Sequence, residues 1–269
     1  MPDGEPGRAE LLEALAILED GLRFGLRTNM PDPSTLAALR AADEAIAENA
    51  AAQADMASPA EGVPSASEAL GALESRALAC TACPLAQGRK KVVFGQGSAA
   101  PLVLVVGEGP GAEEDTQGLP FVGASGKLLD KMLAAIGLSR HENCYIANVV
   151  KCRPPNNREP SLEERQACLP FLREQIRLLE PSAILCAGRT AAQALLDSPA
   201  GINKLRTQTH EYEGIPLVAT YHPSALLRDE SLKRPAWEDL KRLRALIDRG
   251  TSVGGAGLVS KEAGAEPAT

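Results

Sequence analysis

Four short runs dominated by apolar residues stand out against a chain otherwise patterned at helical spacing. They are PLVLVVGE (101–108), CYIANVV (144–150), SAILCAG (182–188) and PLVATYH (216–222). Runs of this length without polar alternation predict strands buried on both faces. Between and after them the apolar residues recur every three or four positions. Leu128, Leu129, Met132, Leu133 and Ile136 share one face of a helix predicted over 125–136. Ser161 and Glu164 form a capping box that opens a helix running to Leu179. Arg189 to Leu196 is a third helix, and Arg234 to Asp248 closes the pattern. Strands alternating with helices predict the α/β class: a single three-layer domain with a central, mostly parallel four-stranded sheet flanked by helices. Open sheets of this kind bind ligands beyond the carboxyl ends of their strands. Glu108, Asn148, Gly188 and His222 occupy those ends and are expected to converge in one crevice.

Outside this core the pattern changes. Residues 9–27 and 35–50 show helical apolar spacing, and 51–67, rich in Ala, Ser and Pro, reads as a linker. The chain is therefore divided into an acidic, helical or disordered N-terminal extension (1–70), a folded domain (71–249) and a disordered tail (250–269). Charge follows the same division. The formal net charge is −7, but residues 1–70 carry 4 basic and 13 acidic side chains, whereas 71–250 carry 23 basic and 20 acidic. An acidic chain argues superficially against a nucleic-acid partner; a mildly basic folded core removes that objection. No run of about 18 apolar residues is present, which excludes a helix crossing a bilayer. The N-terminus MPDGEPGRAE has neither the basic start nor the apolar stretch of a signal peptide, and a cytoplasmic protein is expected.

Candidate chemistry lies in two places. The segment GEGPGAEEDTQGLPFVGASGKLLDKML (107–133) is rich in glycine but does not suit phosphate: Lys127 is followed by Leu128, and Glu108, Glu113, Glu114 and Asp115 would repel an anion. Six cysteines in a reducing compartment are expected to be metal ligands or core thiols rather than disulfides. Cys80 and Cys83 form a C-x2-C pair before the first strand, Cys152 follows the second, and Cys168 lies on the next helix. Four thiolates suit zinc or a 4Fe-4S cluster; the prolines after Cys83 and Cys152 lean toward the cluster. Cys144 and Cys186, inside apolar strands, read as buried thiols.

These parts together resemble the family 4, iron-sulfur uracil-DNA glycosylases. The likeness is carried by C-T-A-C-P at 80–84, V-V-F-G-Q-G at 92–97, G-E-G-P-G-A-E-E-D at 107–115, G-L-P-F-V-G-A-S-G at 118–126, N-V-V-K-C-R-P-P-N-N-R at 148–158 and Y-H-P-S-A-L-L-R at 221–228. It covers roughly residues 74–248 and departs at Ala112, where relatives commonly carry an acid. The resemblance implies excision of uracil from DNA through a flipped-out nucleotide, leaving an abasic site, as the first step of base excision repair. It implies that Phe121 stacks on the base, that Asn148 reads its edge, and that His222 donates to uracil O2 as negative charge develops there. Glu108 stands where related enzymes place a residue that orients water, and the Gly109 main-chain N–H would meet a uracil oxygen. Glu114 is left between support of the site and a surface charge.

By the same resemblance Cys80, Cys83, Cys152 and Cys168 hold a 4Fe-4S cluster with no redox role, Leu226 or Leu227 fills the gap left by the base, and Lys151, Arg153, Arg158 and Arg228 meet phosphates. The partners expected are uracil-containing DNA and, through the N-terminal extension, a repair or replication protein, with the enzyme itself a monomer. No basic insert of the kind used by covalently trapping relatives interrupts 148–160, so ordinary turnover is expected. The rival reading is a non-catalytic iron-sulfur module that binds nucleic acid or transfers electrons; a nucleotide hydrolase is a further alternative, which the acidic loop disfavours.

Overall fold

A computed structural model of the chain describes residues 65–253. The extension helices expected over 9–27 and 35–50, most of the linker and the tail beyond 253 lie outside the described residues. Helix α1 spans Ala66–Leu78 and is opened by a capping box between Ser65 and Glu68, so the last residues of the expected linker, Ala66 and Ser67, are helical.

The sheet has six strands rather than four: β1 Gln96–Gly97, β2 Val103–Gly107, β3 Cys144–Asn148, β4 Ala183–Ala187, β5 Thr209–Tyr212 and β6 Ile215–Thr220. Their order is β1-β3-β2-β4-β6-β5. The four strands foreseen from the apolar runs form its parallel centre, and the two additional ones pair antiparallel at the edges. The edge strands escaped the sequence pattern for a physical reason. β1 is two residues long, and β5 (Thr209, His210, Glu211, Tyr212) has no buried residue, so neither shows an apolar run. The central strands are buried at every position of β2, β3 and β4 because helices cover both faces.

Side chains alternate between two cores. Leu104, Val106, Tyr145, Ala147, Ile184 and Cys186 pack with Leu73 and Ala77 of α1, with Leu172, Ile176 and Leu179 of the helix Leu162–Leu179, and with Ala191 and Leu195 of the helix Arg189–Leu196. Val103, Val105, Cys144, Ile146, Ala183 and Leu185 face the other way. There they meet Leu129 and Leu133 of the helix Ala124–Ala134, and Leu240, Leu243 and Ile247 of the helix Lys233–Val253. In chain order the helices after α1 are α2 (Leu85–Gly88), α3 (Ala112–Gln117), α4 (Ala124–Ala134), α5 (Leu162–Leu179), α6 (Arg189–Leu196), α7 (Ile202–Leu205), α8 (Pro223–Arg228) and α9 (Lys233–Val253). No helix among the described residues is long and apolar enough to cross a membrane.

The register decides where chemistry can happen. Gly107 lies opposite Asn148, Val106 opposite Cys186, and Ala187 opposite Thr220. The carboxyl ends of four parallel strands are thus level, and the residues that follow them open onto one edge.

Candidate active site

That edge carries a pocket of about 790 Å³ lined by Glu108, Asn148, Gly188 and His222, the four residues expected to converge. Phe121, Gly109, Glu114, Thr190, Tyr221 and Arg228 complete much of its wall.

Asn148 is 1% exposed and ends β3. Its Oδ1 is buried and has no hydrogen-bond partner. A buried acceptor left unpaired costs about 1–3 kcal/mol, so its presence at a pocket wall points to a ligand N–H. Gly107 makes room for it. A Cβ there would lie 2.3 Å from Asn148 Oδ1 and 2.6 Å from the Phe121 ring, so only glycine lets both side chains close on the strand end.

Phe121 is 6% exposed and adopts φ 53, a left-handed backbone that an aromatic residue rarely takes. Three contacts hold it there. Glu114 Oε1 accepts the N–H groups of Val122 (2.9 Å) and Gly123 (3.0 Å), while its Oε2 accepts from Gly111 N (3.1 Å). Arg140, 8% exposed, donates to the carbonyls of Pro120 (2.9 Å) and Phe121 (2.8 Å) and is anchored by Asp130 (2.7 Å). Gly126 lets α4 approach, since a Cβ there would stand 1.8 Å from the Phe121 carbonyl oxygen. Glu114, left open by the sequence, is thereby a clamp on the loop. Arg140 was missed entirely, because its role is tertiary and nothing near it in the chain signals it.

The Phe121 and His222 rings are stacked, 5.6 Å between centroids at 30°. His222 caps the N-terminus of α8: Ser224 N donates to its Nδ1 (3.2 Å), and Ser224 Oγ lies 2.8 Å from the same nitrogen. A backbone N–H has to be received by an unprotonated nitrogen, so the neutral ring carries its proton on Nε2. Burial and the nearby Arg228 guanidinium push the His222 pKa down to about 4, which keeps the imidazole neutral at pH 7. The strand end before it is fixed by Thr220, whose hydroxyl donates to the fully buried Asp239 (2.9 Å), itself paired with Arg206. Of the other two histidines, His141 is exposed, whereas His210 is partly buried with Nε2 2.7 Å from the Leu205 carbonyl.

Glu108 Oε2 accepts a 2.5 Å hydrogen bond from Thr190 of α6. Gly109 follows it on the pocket wall, where a Cβ would stand 2.7 Å from Val150.

Among the residues expected to meet DNA, the structure corrects two. Lys151 does not face the crevice: it is 2% exposed, and its ammonium donates to the Asn148 carbonyl (2.9 Å) and to Gln175 Oε1 (2.5 Å). Burial pushes its pKa down to about 8. Leu226 is 2% exposed and packs in the core beside α4 and α9, leaving Leu227, 50% exposed, as the leucine that projects. Arg228 lines the pocket, as does Arg158, whose guanidinium bridges both oxygens of Glu164 (2.6 and 2.8 Å). Arg153 bonds Asn157 Oδ1 at 2.7 Å.

Cys80, Cys83, Cys152 and Cys168 line a second, small pocket with Arg89 and Lys151. Three of the sulfurs already receive N–H donors: Ala82 N to Cys80 (3.5 Å), Arg89 Nη1 to Cys152 (3.2 Å) and Lys151 N to Cys168 (3.3 Å). Such donors, with two cations at hand, suit sulfurs that become thiolates in a metal site. Among the described residues, no three His, Cys, Asp or Glu side chains form a group able to hold a single metal ion. Burial pushes the Cys168 thiol up to about 11. Cys144 and Cys186 are fully buried core thiols, the former pushed up to about 12.

Comparison with known proteins meets this geometry. The family model described as "Uracil DNA glycosylase superfamily" matches residues 94–241, from just before β1 into α9. The chain is 42% identical over 186 residues to the type-4 uracil-DNA glycosylase of Thermotoga maritima, covering 68% of this chain and 96% of that protein. It is 38% identical over 190 residues to the type-4 uracil-DNA glycosylase of Archaeoglobus fulgidus, covering 68% and 95%, and 43% identical over 169 residues to that of Pyrobaculum aerophilum, covering 60% and 86%. The matched span includes every strand of the sheet and every strand-end residue of the pocket, and the chain belongs to the uracil DNA glycosylase superfamily.

Proposed function

We propose that this protein is a monofunctional uracil-DNA glycosylase: it hydrolyses the N-glycosidic bond of a flipped-out deoxyuridine in DNA, releasing uracil and leaving an abasic site for base excision repair. The observation that carries the reading is the pairing of an unpartnered buried acceptor, Asn148 Oδ1, with a neutral imidazole whose proton sits on Nε2, in one pocket walled by Phe121. Uracil presents N3–H between two carbonyl oxygens. The Asn148 carboxamide accepts from N3–H and donates to O4, a pattern that cytosine reverses. His222 Nε2–H donates to O2, where negative charge collects as the bond to the sugar breaks; a neutral donor stabilises that oxyanion without a proton transfer. Phe121 stacks on the base and Gly109 N–H approaches a uracil oxygen. Glu108 orients the attacking water and offsets the positive charge of the sugar.

On the DNA side, Leu227 fills the gap left by the extruded base, compensating part of an unstacking cost of a few kcal/mol. Arg228, with Arg153 and Arg158, meets backbone phosphates. Cys80, Cys83, Cys152 and Cys168 hold a 4Fe-4S cluster. The cluster would supply a structural staple between the segment before β1 and the connection 152–168, since glycosidic hydrolysis involves no net oxidation or reduction. The acidic residues that precede α1 recruit a repair or replication protein.

Purified protein incubated with a uracil-containing oligonucleotide is expected to give alkali-sensitive strands without magnesium. Binding to that oligonucleotide with no alkali-sensitive product over many hours would reject the enzyme in favour of a binding module.

A further inference from the structure

Thr190 is 2% exposed, the second residue of α6, and lines the pocket. Its hydroxyl stands 2.5 Å from Glu108 Oε2 and 3.3 Å from Glu159 Oε1. A hydroxyl has one proton for two carboxylates. Glu159 is already served by cations, with Arg189 at 2.6 Å from Oε2 and Arg165 at 4.0 Å from Oε1. The proton therefore goes to the nearer and less compensated acceptor, Glu108.

We propose that Thr190 is a positioning residue for the reaction: its O–H fixes the plane of the Glu108 carboxylate so that the other oxygen, Oε1, is held toward the pocket to align water. This deepens, and rests on, the reading of Glu108 as the water-orienting group. A glutamate lining a pocket is otherwise free to rotate about its last torsion, and a wandering acceptor aligns water poorly. The hydroxyl is offered from the first turn of α6, a buried and sheet-tethered element, rather than from an exposed loop. The start of α6 is in turn tied to the sheet, with Gly188 N–H donating to the Thr220 carbonyl at 2.9 Å. Glu108 follows β2 and Thr190 follows β4, neighbouring parallel strands, so the pair bridges adjacent strand ends at the pocket wall.

The test is single-turnover excision by the full chain with Thr190→Val, Thr190→Ser, Glu108→Gln and the double variant Glu108→Gln/Thr190→Val, alongside thermal melts and DNA affinity. Thr190→Val keeps the shape and removes the proton; it is expected to slow excision about tenfold with unchanged affinity for uracil-containing DNA, whereas Thr190→Ser stays within about twofold of wild type. On the Glu108→Gln background Thr190→Val is expected to add nothing, because the two act as one unit. Excision at the wild-type rate by folded Thr190→Val, or losses that multiply in the double variant, would overturn the proposal. Should Glu108→Gln excise at the wild-type rate, the role given to Glu108 fails and takes the proposal with it; a slow Glu108→Gln beside a fast Thr190→Val sinks the proposal alone. If Thr190→Val does not fold, Thr190→Ala, read against Thr190→Ser, takes its place with the same criteria.

Discussion

At the scale of single residues, the site is defined by donors and acceptors that the fold leaves unspent. Asn148 Oδ1 is buried without a partner, and His222 has its Nδ1 committed to Ser224 and its Nε2–H available. Replacing Asn148 with alanine removes an interaction that matters only when the base is bound. Excision is expected to slow about 100-fold or more while the melting temperature holds or rises, measured by single-turnover assay and thermal melt. The depressed His222 pKa gives a pH prediction with a definite sign. With a folded value of about 4 and an ordinary value near 6.5, the ring stays neutral and competent from about pH 5 upward, so the excision rate carries no histidine inflection near pH 6.5. Between pH 6.5 and 4 the unfolded chain binds a proton that the folded chain refuses; His222 therefore contributes full stability above the upper value and loses it as pH falls toward the lower. A histidine inflection near pH 6.5 in the wild-type rate would contradict a ring held neutral there by burial. Asn148, His222, Glu108 and Phe121 were all legible in the chain, three from their positions at predicted strand ends and one as a scarce aromatic between glycines. Thr190 was not, although it stands two residues beyond the end of a predicted strand, because a threonine opening a helix carries no signal of its own.

At the scale of elements, the loop between α3 and α4 is held from both sides, and its cost is visible in the positive φ of Phe121. Arg140 supplies two carbonyl bonds from a buried position, and Arg140→Met leaves those carbonyls unpaired. Destabilisation of about 1–3 kcal/mol is expected, with slowed excision, read by chemical denaturation and assay. Gly126→Ala sets a methyl against the Phe121 backbone rather than a yielding side chain, so it is expected to displace the loop or prevent folding. An active Gly126→Ala protein with a wild-type melt would show that the loop is less fixed than its contacts imply. The sequence reading left Glu114 between support of the site and a surface charge and gave no sign of Arg140, because both act through contacts made only in the folded chain. It likewise took Lys151 for a surface cation, whereas a lysine one residue from Cys152 is drawn inside to cap the Asn148 carbonyl. Chain position told which residues lie near the crevice, not which way each one points.

For the whole molecule, the parallel centre of the sheet and its helices followed from buried runs and helical spacing, and the α/β class was readable from them. The edge strands were not, since a two-residue strand and an exposed one have no buried face to advertise. The cysteines unite remote parts of the chain: Cys80 and Cys83 precede β1, Cys152 follows β3, and Cys168 lies on α5, yet all four line one pocket. Cys168→Ser is therefore expected to lower the melting temperature and the iron and sulfide content together, before it alters the excision rate of the protein that remains folded. Iron-free protein that melts and excises as the wild type would remove the cluster from the account. The central claim is that the level strand ends form a uracil-excising pocket, and one experiment meets it most directly: single-turnover excision from a uracil-containing duplex by wild type beside Asn148→Ala and His222→Ala, each shown by melt to be folded. Rapid excision by wild type with both variants slowed by about 100-fold or more is predicted; folded variants that release uracil as fast as wild type would contradict it.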